Sequence, residues 1–231
     1  MASIPHEGGT SLSAKAMDAV KAHIREAGLR VGDTLPGEGY FAEKLGVSRA
    51  VMREAFGALA ALKLIDVANG RRAKVGALDG SVIAASLDHA LSTSQIKVAD
   101  VWDVRRTIEM RTAALAARNA TPVQAARIVA LAEAMGGEHP HDQTTEDDID
   151  FHLAIAEASG NALFNQIVVS FVPLMRVAVP QAWGTRRTED EKRDILERHK
   201  RLAWAIANRD AGEAERCMAA HFDEAIGALL R

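Results

Sequence analysis

Apolar residues recur every three or four positions along most of this chain, the spacing of amphipathic helices. Between Leu12 and Ala27 the apolar positions Ala16, Val20 and Ile24 fall four apart, and Gly28 ends the run. A turn-rich stretch from Val31 to Gly37 follows. Glu38 to Leu45 reads as a short helix closed by Gly46. Ser48 is a good N-cap for a helix to about Lys63, with Val51, Ala55, Leu59 and Leu62 as its apolar face. From Leu64 to Val75 the pattern changes. Asn69-Gly70 lies there between two apolar-containing runs, the strongest short-range signal of a β-hairpin.

Beyond residue 81 only helical periodicity remains. It predicts helices over roughly 82–93, 98–119, 122–136, 145–159, 162–180, 189–208 and 211–230. Breaks fall at Thr121-Pro122, Gly136-Gly137, Ser159-Gly160-Asn161, Gly184 and Asn208-Arg209-Asp210, and His139-Pro140-His141 reads as a loop. The predicted organisation is a flexible lead (1–11), a three-helix-plus-hairpin unit (12–76), a linker (77–81) and an all-helical unit (82–231). The fold class is therefore mainly α, and a bundle of that size buries a sizeable core.

Composition agrees with this reading. Aromatic residues are only 4% of the chain, and alanine and leucine, which favour helix, are abundant. The single cysteine, Cys217, excludes an internal disulfide and a multi-cysteine metal cluster. No apolar run approaches the roughly 20 residues of a membrane span, and Met1 to Thr10 has no apolar signal-peptide core. These features predict a soluble, cytoplasmic protein.

The net charge of −3 hides a local excess of the opposite sign. Residues 44–75 carry seven basic side chains (Lys44, Arg49, Arg53, Lys63, Arg71, Arg72, Lys74) against Glu54 and Asp66, a net of +5. A basic patch of this kind suits a polyanion, although a charge run alone is more often a solvated face. The order of elements around it is more specific. Helix, short helix, glycine turn, helix and hairpin make a winged helix-turn-helix. The helix after the turn would present Ser48, Arg49 and Arg53 to base edges in a major groove. The tip Asn69-Gly70-Arg71-Arg72 would place bare backbone and two guanidiniums at phosphate or minor groove.

Three histidines fall in the apolar stripes of three different predicted helices. His152 lies between Ile149 and Ile155, His199 between Ile195 and Leu202, and His221 between Met218 and Ala225. Asp148 precedes His152 by four and shares its face. Any one of them reads most simply as a hydrogen-bonded core residue. Three imidazoles with a carboxylate in register can also ligate a divalent ion such as Zn²⁺, Ni²⁺ or Mn²⁺. No catalytic triad or phosphate loop is present, and no general base stands out beside the histidines. A hydrolase is the weaker reading.

The run from Leu35 to Ala55, with Pro36-Gly37-Glu38 and Leu45-Gly46-Val47-Ser48-Arg49, resembles the GntR family of bacterial transcription regulators. Arg105-Arg106-Thr107-Ile108-Glu109, Asp148 through Asn161, His199 and His221 resemble the metal-containing ligand-binding (FCD) domain of its FadR-type branch. The resemblance implies a homodimer on a palindromic DNA operator, and regulators of this kind are more commonly repressors than activators. Ser48, Arg49, Arg53, Gly70 and Arg71 would contact DNA. It implies Asp148, His152, His199 and His221 as ligands of a divalent metal, zinc foremost and nickel or manganese as alternatives. It further implies a small carboxylate effector beside the metal, with Arg105 as its counter-ion. Trp183 is a candidate wall of that pocket. Related regulators carry arginine where this chain has Gly39, which removes one expected DNA contact. A metal-dependent enzyme with an attached DNA-binding domain, or a purely structural metal, are the rival readings.

Overall fold

The computed structural model describes residues 11–135, 141–184 and 188–229. The chain forms two compact units, Met1–Val82 and Ile83–Arg231.

The first unit contains α1 (Leu12–Glu26), α2 (Glu38–Leu45), α3 (Arg49–Ala61), β1 (Ile65–Asp66) and β2 (Lys74–Val75). Local chemistry explains each boundary. Ser11 caps α1 by accepting from Ala14 N at 3.1 Å, and Ser48 caps α3 by accepting from Val51 N at 3.3 Å. Gly46 ends α2 at φ 66°, in the left-handed region that glycine enters without cost. The helix α3 stops two residues earlier than its periodicity predicts. Lys63 turns left-handed at φ 57°, with Lys63 N on Ala60 O (3.0 Å) and Leu64 N on Leu59 O (3.0 Å). That is a Schellman ending with lysine in the position usually held by glycine. The buried face of α3 is also rotated from expectation. Met52, Ala55, Phe56 and Leu59 are buried, whereas Leu62 is exposed. They join Ala16, Val20, Leu35, Phe41 and Ile65 in one core, each large side chain contributing roughly 1.5–3 kcal/mol.

The hairpin is wider than a two-residue Asn-Gly loop. Ile65 pairs with Val75 and Asp66 with Lys74, leaving residues 67–73 between the strands. Asn69-Gly70 still makes a turn at the tip, with Gly70 at φ 71° and Arg71 N bonded to Ala68 O at 3.1 Å. The stretch read as a turn-rich connection supplies a third edge. Thr34 bridges Lys74, Gly32 N reaches Val75 O (2.9 Å) and Leu35 N reaches Ala73 O (2.8 Å). Gly76 then closes against the end of α3. A Cβ there would lie 2.3 Å from the Lys63 carbonyl oxygen, so only glycine fits.

The second unit is built from α4 (Ser81–Ser92), α5 (Val98–Asn119), α6 (Pro122–Ala134), α7 (His141–Ala158), α8 (Ala162–Ser170), α9 (Val172–Gly184), α10 (Glu189–Ala207) and α11 (Ala211–Leu229). The central helix is α5, flanked by α11 and α7, with α10 on α6 and α11. Ala113, Ala116 and Ala117 of α5 and its C-cap Ala120 are buried in the same cluster as Phe151, Ile155, Leu202, Ile206, Met218 and Phe222. The small side chains let neighbouring helices approach closely. Capping boxes at Thr121/Gln124 and Thr188/Glu191 start α6 and α10. His141, expected in a loop, is the first residue of α7.

The helix expected over 162–180 is two helices, α8 and α9, bent by 54° at Phe171. Pro173 has no N–H for the carbonyl four residues back and its ring clashes with it, so α8 cannot continue. Among the described residues no single helix is long and apolar enough to cross a membrane.

Candidate metal centre and nucleic-acid surface

Asp148, His152, His199 and His221 converge. Asp148 and His152 come from α7, His199 from α10 and His221 from α11, and one ligand atom from each lies within 4.8 Å of all the others. All four residues are buried. Phe151 and Phe222 edge the rings, with Phe151 5.2 Å from His199 and Phe222 5.4 Å from His221 between centroids.

The hydrogen bonds decide which nitrogens are bare. His199 Nδ1 lies 2.8 Å from Ile195 O, an acceptor only, so Nδ1 carries the proton. Its Nε2 then faces Asp148 Oδ1 at 3.1 Å, lone pair against lone pair unless a cation or proton sits between them. His152 Nδ1 donates to Glu109 Oε2, which leaves Nε2 as a lone pair; that atom is buried and has no hydrogen-bond partner. His221 Nδ1 is likewise buried and unpartnered. Unpaired buried acceptors are costly. A divalent ion would satisfy all of them together, and a three-nitrogen, one-oxygen donor set suits zinc, nickel or manganese.

The electrostatics favour the ligand states of Asp148 and His221, whereas Glu109 outweighs burial and raises His152 above its ordinary value. Burial alone would push the Asp148 carboxyl up, but a proton on His199 Nε2 would donate to it and, with the neighbouring imidazoles, hold it well below the usual carboxylate range; a cation in that proton's place acts in the same direction. Burial, reinforced by His199 and His152, keeps the His221 ring well below its ordinary value and hence neutral.

Sequence reasoning missed the role of Glu109. This buried residue of α5 accepts from His152 Nδ1 and from Arg105 Nε (2.8 Å). It fixes the His152 tautomer, as carboxylates behind metal-bound histidines do. The signal was present in the sequence. Arg105 and Glu109 are four apart and share the stripe of Val101 and Thr112. Burial alone would raise the Glu109 carboxyl, but Arg105 and His152 bring it below its ordinary value.

Arg105 is buried. Its guanidinium lies 4.6 Å from the Trp102 ring centroid and 5.1 Å from that of Phe222. It also lines a cavity of about 330 Å³ between α4, α5 and α9. The Trp183 side chain lies outside the described residues.

On the first unit, Arg49, Arg53, Arg71 and Arg72 are all exposed. Arg53 has a loose contact with Glu38, 3.9 Å, and is 80% exposed. Ser48 combines its cap with a place at the exposed start of α3. Gly39 lies beside Arg49: a Cβ at Gly39 would sit 3.8 Å from Arg49 Nη2, an ordinary contact. The second helix, the capped third helix and the Gly70 turn thus carry cations on open surface.

Comparison with known proteins adds an independent line. Residues 12–75 match the family described as bacterial regulatory proteins, gntR family, and residues 100–224 match the FCD domain. The LutR transcriptional regulator of Bacillus subtilis is 29% identical over 202 residues, 86% of this chain and 92% of its own. The glc operon transcriptional activator of Escherichia coli is 29% identical over 211 residues, 88% of this chain and 83% of its own. The galactonate operon transcriptional repressor of the same species is 29% identical over 191 residues, 80% and 82% of the two chains. The solved structure of a Streptococcus agalactiae GntR protein superposes with a TM-score of 0.64 at 24% identity, covering 92% of this chain and 98% of that one, a likeness of fold.

Proposed function

Since the chain belongs to the gntR family of bacterial regulatory proteins and carries an FCD domain, making it a transcriptional regulator rather than an enzyme, we propose that it is a metal-dependent, acid-responsive repressor acting in the cytoplasm. A homodimer would set two copies of α3 in successive major grooves of a palindromic operator. Ser48, Arg49 and Arg53 would read or clamp the DNA, and Gly70-Arg71 would meet the backbone beside them. The exposure of these cations on a winged helix-turn-helix supports the assignment. Residues 12–76 serve as the DNA-binding domain and 82–231 as the effector domain, joined by 77–81.

The observation that carries the regulatory half is the cluster of unpaired nitrogens around Asp148. Asp148, His152, His199 and His221 would hold the metal, zinc foremost. A bound metal would supply a Lewis-acidic cation for an organic acid, with Arg105 as the acid's counter-ion on the protein side. Trp183 would be a further candidate wall of the proposed effector pocket. A relative named for the galactonate operon, which concerns a sugar acid, supports an acid effector. An acid that binds one arrangement of the dimer better than the other shifts operator affinity by that difference.

Fluorescence anisotropy on DNA from upstream of the gene, at fixed salt, tests the reading. Expected is a preference of about a thousandfold over scrambled DNA, relieved by an organic acid only in the metal-loaded protein. Product formation from the acid would favour an enzyme. Metal-dependent stability with no acid response would favour a structural ion.

A further inference from the structure

α10 and α11 are packed neighbours joined by the short connection at 208–210, and a charged stripe of each faces the groove between them. Arg198 and Arg201 lie one turn apart on α10. Glu213, Arg216, Cys217 and Ala220 follow the three- and four-residue steps of one face of α11. Together they line a hollow of about 240 Å³. That is slightly below the range of about 300–1,000 Å³ usual for small-molecule sites, room for one charged group on a short body. No candidate metal ligand lines the hollow, nor does Arg105.

Three guanidiniums on one concave surface concentrate positive potential there. Against them the lining sets one carboxylate, a net of +2. That carboxylate is already engaged within its own helix. Glu213 Oε2 accepts from Arg216 Nε (3.0 Å) and Nη2 (2.7 Å), and Glu213 Oε1 accepts from the Cys217 thiol at 3.4 Å. Arg216 is thereby held along one edge, and Arg198 is held by an ion pair with Glu224 of α11. Arg201 differs from both. It is exposed, and no hydrogen bond or ion pair holds it among the described residues. Ala220 has no side chain long enough to fill the space that the three arginines surround.

We propose that this groove binds a small phosphate monoester, its phosphoryl oxygens held by Arg198, Arg201 and Arg216. The chemistry selects phosphate over carboxylate. A carboxylate carries two oxygens and one charge, which a single guanidinium fork satisfies. A phosphate monoester carries three terminal oxygens and close to two charges at pH 7, and takes donors from several directions at once. The size of the hollow limits the body to a few carbons. The occupant ties α10 to α11, the helices that carry His199 and His221, without touching either imidazole.

Calorimetry with glycerol 3-phosphate on the full chain, at fixed salt, tests this against glycerol. Glycerol 3-phosphate is expected to bind at one site, and glycerol about tenfold or more weakly. Substitution of the exposed, unpaired Arg201 does not threaten folding. R201E is expected to weaken glycerol 3-phosphate about tenfold or more, and R201K less, because lysine keeps the charge and loses the fork. R111E makes the same charge change on an exposed part of α5 outside the groove, and is expected to cost no more than about twofold. Cys217, the chain's single cysteine, reports from the groove itself. Burial, then Glu213, pushes its thiol up to about 11, so iodoacetamide alkylates it slowly, at a rate mass spectrometry follows. Glycerol 3-phosphate should slow that rate further, half-maximally at the calorimetric Kd. Lactate should leave the rate unchanged, and R201E should remove the protection. Four results overturn the proposal: no binding of glycerol 3-phosphate; equal losses in R201E and R111E; an alkylation rate indifferent to saturating glycerol 3-phosphate; or an R201E loss as large on a scrambled DNA duplex as on glycerol 3-phosphate, which makes the groove a contact for nucleic-acid backbone.

Discussion

His152 of α7 donates its Nδ1 proton to Glu109 of α5, and the same carboxylate accepts from Arg105. One buried anion thus serves an imidazole of the candidate metal cluster on one side and a cavity-lining guanidinium on the other. Changing either neighbour changes the electrostatics of the other through a single carboxylate.

Glu109→Ala removes that anion and leaves Arg105 buried without its ion partner. Breaking a buried pair from one side costs about 3–5 kcal/mol. Urea unfolding of the metal-free protein should show a loss of that size. Metal affinity should fall about 10–100-fold, measured by competition with a chelator. Glu109→Gln keeps an acceptor for His152 and should recover part of the affinity.

Metal removal has its own expected size. If the four ligands bind only in the folded state, the protein at a thousandfold excess over Kd gains about 4 kcal/mol. Calorimetric melting should show a Tm that rises with metal concentration. His199→Ala should abolish the dependence.

Acid should destabilise the metal-free protein through His221. Burial, and then the His199 and His152 rings, hold its imidazole below the ordinary range, so the fold keeps it neutral. The unfolded chain takes up that proton below about pH 6.5. Stability from this group is therefore complete above that pH and is lost as pH falls. His152 has the opposite sign. Burial lowers it, but Glu109 outweighs burial and raises it. Its contribution is complete below about pH 6.5 and fades as pH rises through the raised value. His221→Asn should remove the acid-side decline in urea midpoint and leave the alkaline-side one.

Arg71→Ala should weaken DNA binding evenly across sequences and lower the salt slope by about one contact. Arg49→Ala should cost about 1–3 kcal/mol on the operator and relax its specificity. Gly39→Arg is the informative gain. Space for a side chain exists beside Arg49, and an added cation should tighten binding and steepen the salt dependence. Anisotropy titrations at several salt concentrations measure all three.

Much of this molecule was legible from local signals. Gly46 and Ser48 mark the ends of α2 and the start of α3 because left-handed backbone and N-terminal capping are short-range chemistry. The four clustered residues announced themselves as polar groups in apolar stripes. What stayed hidden depends on distant pairing. Glu109 meets His152 across 43 positions, which no periodicity reports. The Gly32–Leu35 segment becomes a sheet edge only because β2 lies beside it. The break at Phe171 was missed for another reason: Pro173 was not weighed against a strong helical pattern.

Gly76 closes directly onto the last turn of α3, its N–H on Leu64 O at 3.0 Å and its Cα too near the Lys63 carbonyl for any side chain. The outgoing strand is therefore clamped to the end of α3, the helix proposed to face DNA, with no slack between them. A pull on residue 77 is delivered to the base of α3 as a lever is turned by its handle. Gly76→Ala would force that joint open at about 1–3 kcal/mol, and the helix would lose its rigid connection to whatever tugs on the chain beyond.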